Sequence, residues 1–271
     1  MTASASASGP DSKTIVSLRK IHKSFGRQRV LRSISLDFER GKTTVVLGPS
    51  GCGKSVLLKH IVRLLEPDRG EVWFDGQRID GLSERELVKV RTQFGYLFQM
   101  GALFDSMDVQ QNVQFPLIEH TKMTPAQRLE RSEEVIGLVG LDGTQHKYPS
   151  ELSGGQRKRI ALARAIVMHP KVILYDEPTT GLDPIRADII NGLIIKLQHE
   201  LKATSIVVTH DMNSAAKIAD RIVMLYDGNI IADGRPEQII LSEDPMVRGF
   251  VDGQAFPDDK NIPVPTGDAS P

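Results

Sequence analysis

One cysteine, Cys52, stands in a chain of 271 residues, so no internal disulfide can form and a reducing compartment suits it. No apolar run approaches the ~18 residues of a membrane span, and any membrane role must therefore come through a partner. Neither sign of charge is in excess: Lys+Arg and Asp+Glu both number 34, for a formal net charge of zero. A general nucleic-acid binder would carry a basic surplus, so this balance argues against a nucleic-acid partner. "MTASASASGPDSK", residues 1–13, holds no hydrophobic stretch for a signal peptide and reads as a disordered tail. No internal repeat is visible. What is present is ordinary for a globular protein, 40% apolar and 25% charged. The length suffices for one large domain or two small ones around a sizeable core.

Between about Ile15 and Phe38, "IVSLRKI" and "SISLDF" alternate in hydropathy and read as antiparallel strands around a turn near Gly26. "TTVVLG" (43–48) is short, continuous and β-branched, which suits a buried strand; a Gly-rich loop and a helix through "KSVLLKHIVRLL" follow. "GEVWFDG" (70–76) is a short strand, "LSERELVKV" opens a helix with a Ser83/Glu86 capping box, and "FGYLFQ" (94–99) is a strand ending in a polar residue. Thr124-Pro125 with Gln127 starts a helix to about Val139. Later come "VILYDE" (172–177), a helix from about Ile185 to Leu201, "SIVVTH" (205–210), a helix near 213–219 and "RIVMLYDG" (221–228). Apolar strands alternating with amphipathic helices predict an α/β fold with a mainly parallel sheet. The closing "GQAFPDDKNIPVPTGDASP" is Pro-rich and reads as extended or disordered.

"LSGGQRKRIALARAI" (152–166) poses a question. Ser153 is a good N-cap, and Ile160, Ala163 and Val167 repeat at helical spacing. Yet Gly154 and Gly155 sit in the first turn, where each costs ~1 kcal/mol relative to alanine. Arg157, Lys158 and Arg159 follow, at the end where the macrodipole prefers acids. Bare backbone at the positive end of a helix suits an anion. For the three basic side chains a solvated face is the expectation for at least two.

The phosphate chemistry is explicit elsewhere. "GPSGCGKS", from Gly48 through Pro49, Ser50, Gly51, Cys52, Gly53 and Lys54 to Ser55, fits G-x-x-x-x-G-K-[ST] between a predicted strand and a predicted helix. The glycines let successive N–H groups turn inward around a phosphate, Lys54 reaches the β- and γ-phosphates, and the Ser55 hydroxyl suits Mg²⁺. "VILYDEP" delivers two carboxylates at a strand end: Asp176 to hold a magnesium-bound water, Glu177 to polarise an attacking water. His210, ending "SIVVTH", is placed for the γ-phosphate. Together these residues describe a nucleoside triphosphatase.

From about Ile15 to about Pro245 the chain resembles the ATPase domain of ATP-binding cassette (ABC) proteins. "LSGGQ" at 152–156 is similar to the ABC signature, Gln99 to the Q-loop glutamine, "TGLD" at 180–183 to the D-loop and His210 to the switch histidine; Phe25 resembles the aromatic that stacks on adenine. The resemblance implies a P-loop NTPase fold with a RecA-like core, an N-terminal antiparallel β-subdomain and an inserted helical subdomain at about 100–165. An ATPase domain over residues 14–245 and a C-terminal extension over 246–271 follow. It also implies ATP and Mg²⁺ as cofactors, with Gln99 joining Ser55 and Asp176 at the metal, and Glu177, His210 and Gln99 in catalysis. Two copies would pair head to tail, with Ser153, Gly154, Gly155, Gln156 and Asp183 of one completing the nucleotide site of the other.

"LFQMGALFDSMDVQQNVQFPLIEHT" (97–121), "GKSVLLK" (53–59) and "VRGFVDG" (247–253) are similar to ATPases of bacterial MCE-type lipid transporters, such as the Mla phospholipid system. That likeness implies a peripheral subunit on the cytoplasmic face of the bacterial inner membrane. Its partners would be a permease, an MCE lipid-binding subunit and a small regulatory subunit. Val56 departs from the GKST common among importers, and the tail after Val251 departs from the Mla pattern. Two other readings stay open: an importer ATPase for amino acids or another small solute, and a soluble ABC ATPase outside transport.

Overall fold

The computed structural model describes residues 10–254. Most of the tail expected over 1–13, and of the Pro-rich stretch after 253, lies outside the described residues. Strands β1 (Thr14–Phe25) and β2 (Gln28–Glu39) form the antiparallel hairpin around Gly26. β3 (Thr43–Leu47) leads into α1 (Lys54–Ile61); β4 (Arg69–Phe74), β5 (Gln77–Arg78), α2 (Glu84–Arg91) and β6 (Phe94–Leu97) follow. Helices α3 (Val109–His120), α4 (Pro125–Leu138) and α5 (Gly154–Ile166) occupy the middle. The alternation then resumes with β7 (Val172–Asp176), α6 (Pro184–Leu201), β8 (Thr204–Thr209), α7 (Met212–Ile218), β9 (Arg221–Tyr226) and β10 (Asn229–Gly234), before α8 (Pro236–Ile240) and α9 (Pro245–Val251).

The strands sort into two sheets, β2-β1-β4-β5, antiparallel, and β10-β9-β3-β8-β7-β6, parallel except for its β10 edge. The continuous apolar runs reflect burial on both faces of the second sheet. Val45 and Leu47 of β3, Ile173 and Tyr175 of β7, and Ile222 and Met224 of β9 point into a core shared with α3–α9. The alternate residues Val46, Val172, Leu174, Val223 and Leu225 point into a second core with α1, α2 and the antiparallel sheet. The strand period of two thus feeds two cores from one sheet.

One local expectation is corrected. The helix expected over 54–65 stops at Ile61, because Arg63 turns to φ +55° and Leu64 N–H and Leu65 N–H both donate back to Lys59 O. The Arg91 guanidinium of α2 donates to the freed Val62 and Arg63 carbonyls at 3.1 and 2.6 Å. A tertiary partner therefore ends a helix whose periodicity continues. Conversely, α3 forms although Pro116 lies inside it. Its start is fixed by a reciprocal cap, Gln111 N–H on Asp108 Oδ1 (2.7 Å) and Asp108 N–H on Gln111 Oε1 (3.0 Å).

Candidate functional site

In the parallel sheet β3, β8 and β7 are consecutive neighbours, so the segments leaving their carboxyl ends meet at one edge. β3 delivers the phosphate loop, β7 delivers Asp176 and Glu177, and β8 delivers His210; Gln99 follows the outer strand β6. These segments bound a cavity of about 420 Å³ lined by Phe25, Ser50, Gly51, Gly53, Lys54, Ser55, Gln99, Glu177 and His210, with Val30, Val56 and Thr180.

The loop's glycines serve two different needs. Gly51 and Gly53 sit at φ +80° and +105°, which side-chain-bearing residues rarely adopt. Gly48 has no such φ; a Cβ there would fall 2.2 Å from Leu225 O and 2.9 Å from Cys52 Sγ, so it permits close packing on β9. Cys52 therefore lies behind the loop, 9% exposed, and burial pushes its thiol pKa up, with Lys54 opposing. Lys54, 5% exposed, donates to Gly48 O and Pro49 O, both at 2.9 Å, and stands 3.3 Å from Glu177 Oε1. Ser55 Oγ donates to Asp176 Oδ1 at 2.7 Å, and Tyr96 OH reaches the other carboxylate oxygen at 3.4 Å. Burial and the Asp176 charge hold that phenol protonated well above its usual range.

Glu177 is the most constrained residue of the group. It is 8% exposed and, though not glycine, sits at φ +49°. Its Oε2 is 2.9 Å from His210 Nδ1 and accepts from Thr180 Oγ1 at 3.1 Å. Phe25 stands at the rim, 48% exposed, with Lys23 Nζ 5.5 Å from its ring centre.

Ser153, Gly154, Gly155, Gln156 and Asp183 do not line this cavity. Ser153 caps α5, accepting from Gln156 N–H at 3.3 Å while Gln156 Oε1 accepts from Ser153 N–H at 2.9 Å. Gly155 packs where a Cβ would sit 3.5 Å from the Arg186 side chain, and Asp183 caps α6 through Arg186 N–H. Of the three basic residues after them, Lys158 departs from the expected solvated face, while Arg157 is exposed and Arg159 half-buried. Arg157 donates to Leu152 O, Arg159 to Val139 O and Gly140 O, and Lys158, 8% exposed, to carbonyls of the 177–180 segment. Their acceptors are backbone oxygens, most of them far along the chain, which no local pattern in the sequence displays.

Beyond Gln99 the chain is held at two points. Arg164 of α5 donates to Gly101 O (3.0 Å) and Ala102 O (2.8 Å). The fully buried Asn112 of α3 accepts from Phe104 N–H at 2.8 Å and donates to Phe104 O, Met107 O and Asp108 O, each at 3.0 Å. Neither residue was singled out from sequence, although the Asp108/Gln111 cap would have placed Asn112 on a helix.

The model of the family described as ABC transporter matches residues 31–180. The chain belongs to the ABC transporter family. It is an ABC transporter ATP-binding subunit, an ATPase, and the cassette's α/β fold is the one described above. Among its relatives is the "Probable ribonucleotide transport ATP-binding protein mkl" of Mycobacterium leprae, 43% identical over 88% of this chain and 69% of that one. The "Intermembrane phospholipid transport system ATP-binding protein MlaF" of Escherichia coli is 42% identical over 94% of each. Among solved structures, the ATP-binding cassette MJ0796, a post-hydrolysis dimer bound to ADP and Pi, superposes with a TM-score of 0.76 at 34% identity. It covers 82% of this chain and 99% of that one. No helix among the described residues of this ABC subunit is long and apolar enough to cross a membrane.

Proposed function

We propose that this ABC ATPase energises a membrane permease that moves phospholipid between membranes, and that it works as a head-to-tail dimer with two shared nucleotide sites. One observation carries the dimer: the cavity gathers Lys54, Ser55, Gln99, Glu177 and His210, while the glycine-started end of α5 lies outside it. A helix end with bare backbone N–H groups completes a phosphate site when a second copy supplies it. In that arrangement Ser153, Gly154, Gly155 and Gln156 face the partner's γ-phosphate, with Asp183 beside them, and Phe25 stacks on adenine. The post-hydrolysis dimer formed by MJ0796 supports this pairing.

Hydroxyl and carboxylate oxygens suit magnesium, and Ser55 Oγ and Asp176 lie 2.7 Å apart. Those two residues and Gln99 would hold the ion together with phosphate oxygens. The ion supplies neutralisation of phosphate charge. The chain's own residues do the rest. Lys54 pairs with the Glu177 carboxylate at 3.3 Å, and its ammonium would also serve a γ-phosphate. Glu177 then takes the proton of the attacking water, held in place by Thr180, while His210 steadies the γ-phosphate.

A second cavity, about 430 Å³, includes Phe98, Ala102, Phe104, Phe115, Arg164 and Met168 in its lining. It sits beside the held segment after Gln99 and would receive a short cytoplasmic helix of the permease. Phospholipid as cargo is supported by the MlaF relative, matched over 94% of its length. The mycobacterial relative, named for ribonucleotide transport, favours that cargo as a second reading. The subunit would sit peripherally on the cytoplasmic face of the inner membrane, with an MCE lipid-binding subunit and a small regulatory subunit in the assembly. Purification from membranes followed by mass spectrometry tests this. A permease, an MCE subunit and bound phospholipid are expected; a solute-binding protein in their place would overturn the lipid assignment.

A further inference from the structure

Lys158 is buried in a way that neither the phosphate site nor helix stability requires. It stands one turn into α5, five residues after the Ser153 cap, and is 8% exposed. An ammonium has three N–H donors. Here Nζ donates to Glu177 O at 3.3 Å, Pro178 O at 2.8 Å and Thr180 O at 2.7 Å. Burial pushes its pKa down, and the Glu177 charge opposes that shift. A buried cation is retained at such a cost where its hydrogen bonds fix a geometry.

The geometry it fixes is that of the catalytic carboxylate. Glu177 holds its φ of +49° in the same short segment whose carbonyls Lys158 gathers. On the other side of that backbone, the Glu177 side chain meets Lys54, Thr180 and His210. The segment is thus gripped from α5 by its carbonyls and from the cavity by its side chain. Neighbouring Gly155 packs against Arg186, itself bonded to Asp183. The first turns of α5 and the 177–183 stretch therefore form one connected body.

We propose that Lys158 is a positioning residue that joins the two nucleotide sites of the dimer. It ties the end of α5, which completes the partner's site, to the Glu177–Thr180 segment, which serves this chain's own site. Nucleotide that orders Glu177 in one site thereby sets the helix end offered to the other. This inference rests on the dimer reading above, and the test separates the two.

Lys158→Met keeps the apolar stem and removes every donor. The expected result is a kcat for ATP hydrolysis at least tenfold lower, and recovery to within threefold of the parent in Lys158→Arg. The link between sites is read in a Glu177→Gln background, where dimers formed with ATP persist. Adding Lys158→Met should raise the ATP concentration for half-maximal dimerisation at least fivefold, measured by light scattering. Affinity for a fluorescent ATP analogue at protein dilutions that keep the chain monomeric should stay within twofold. Parent-like kcat in Lys158→Met overturns the proposal. So does a lowered kcat with an unchanged dimerisation midpoint, which would confine Lys158 to its own site. If Lys158→Met does not fold, Lys158→Leu, which also removes every donor, carries the same comparisons and the same refuting outcomes. Failure of Glu177→Gln itself to dimerise with ATP would sink the dimer reading and the link with it, while an effect of Lys158→Met on kcat would still show a tie within one site.

Discussion

Replacing Glu177 by glutamine changes two interactions at once, and the structure sets the size of each. The amide keeps an acceptor for Thr180 Oγ1 and a partner for His210, now 3.1 and 2.9 Å from the carboxylate, so the side chain stays in position. It cannot accept the proton of water. General-base catalysis is worth about 10²–10⁴-fold, or roughly 3–5 kcal/mol of barrier, and kcat should fall by that factor. The buried pairing with Lys54, at 3.3 Å, is lost as well. Breaking a buried pair costs about 3–5 kcal/mol when the survivor is left alone. Lys54 keeps two carbonyl acceptors, so the nucleotide-free variant should sit below that range, at about 1–2 kcal/mol of destabilisation. For a chain of this size that is a few degrees in Tm, at about 2–4 °C per kcal/mol. ATP at about 100 times its Kd adds about 2.7 kcal/mol and should reverse the loss. Phosphate release, calorimetric melting with and without ATP, and gel filtration give the three readings. Hydrolysis within threefold of the parent rate would refute Glu177 as the base.

Cys52 and His60 yield two further expectations. Because burial raises the Cys52 thiol pKa, iodoacetamide should react slowly near pH 7 and faster as pH climbs through and beyond the usual thiol range, since the thiolate is the nucleophile. Modification should stop ATP turnover and be slowed by ATP; inhibition that persists in Cys52→Ala would dismiss the idea. His60 is fully buried, with Nδ1 2.7 Å from Val56 O and no partner for Nε2 among the described residues. Burial lowers its pKa below the unfolded value of about 6.5, against the opposing pull of Val56 O. On acidification the unfolded chain takes up that proton first, so this contribution to stability holds above about pH 6.5 and is lost below it. Tm should drop between pH 7.5 and 5.5, and the drop should shrink in His60→Leu; an identical drop in both proteins would be against it.

The Gly48–Ser55 loop between β3 and α1 was readable because its glycines stand in one contiguous run of fixed spacing. Asp176, Glu177 and His210 were readable because each ends a short apolar strand. What could not be read was set by distance along the chain. Lys158 looked like a surface charge, since its acceptors lie 19, 20 and 22 residues away. The early end of α1 depends on Arg91, 28 residues after Arg63. Helix α3 went unread for a local reason: Pro116 and an apolar stretch masked a cap that Asp108 and Gln111 spell out. The edge strand β10 was missed because its exposed Asn229 and Asp233 and its half-buried Gly234 weaken the alternation.

The segment from Gly101 to Asp108 is fastened by Arg164 at one end and Asn112 at the other. A loose connection would soak up a nudge from outside by flexing. A braced one resists, so a push on the surface beside Phe104 should shift the segment as a unit instead of dispersing within it.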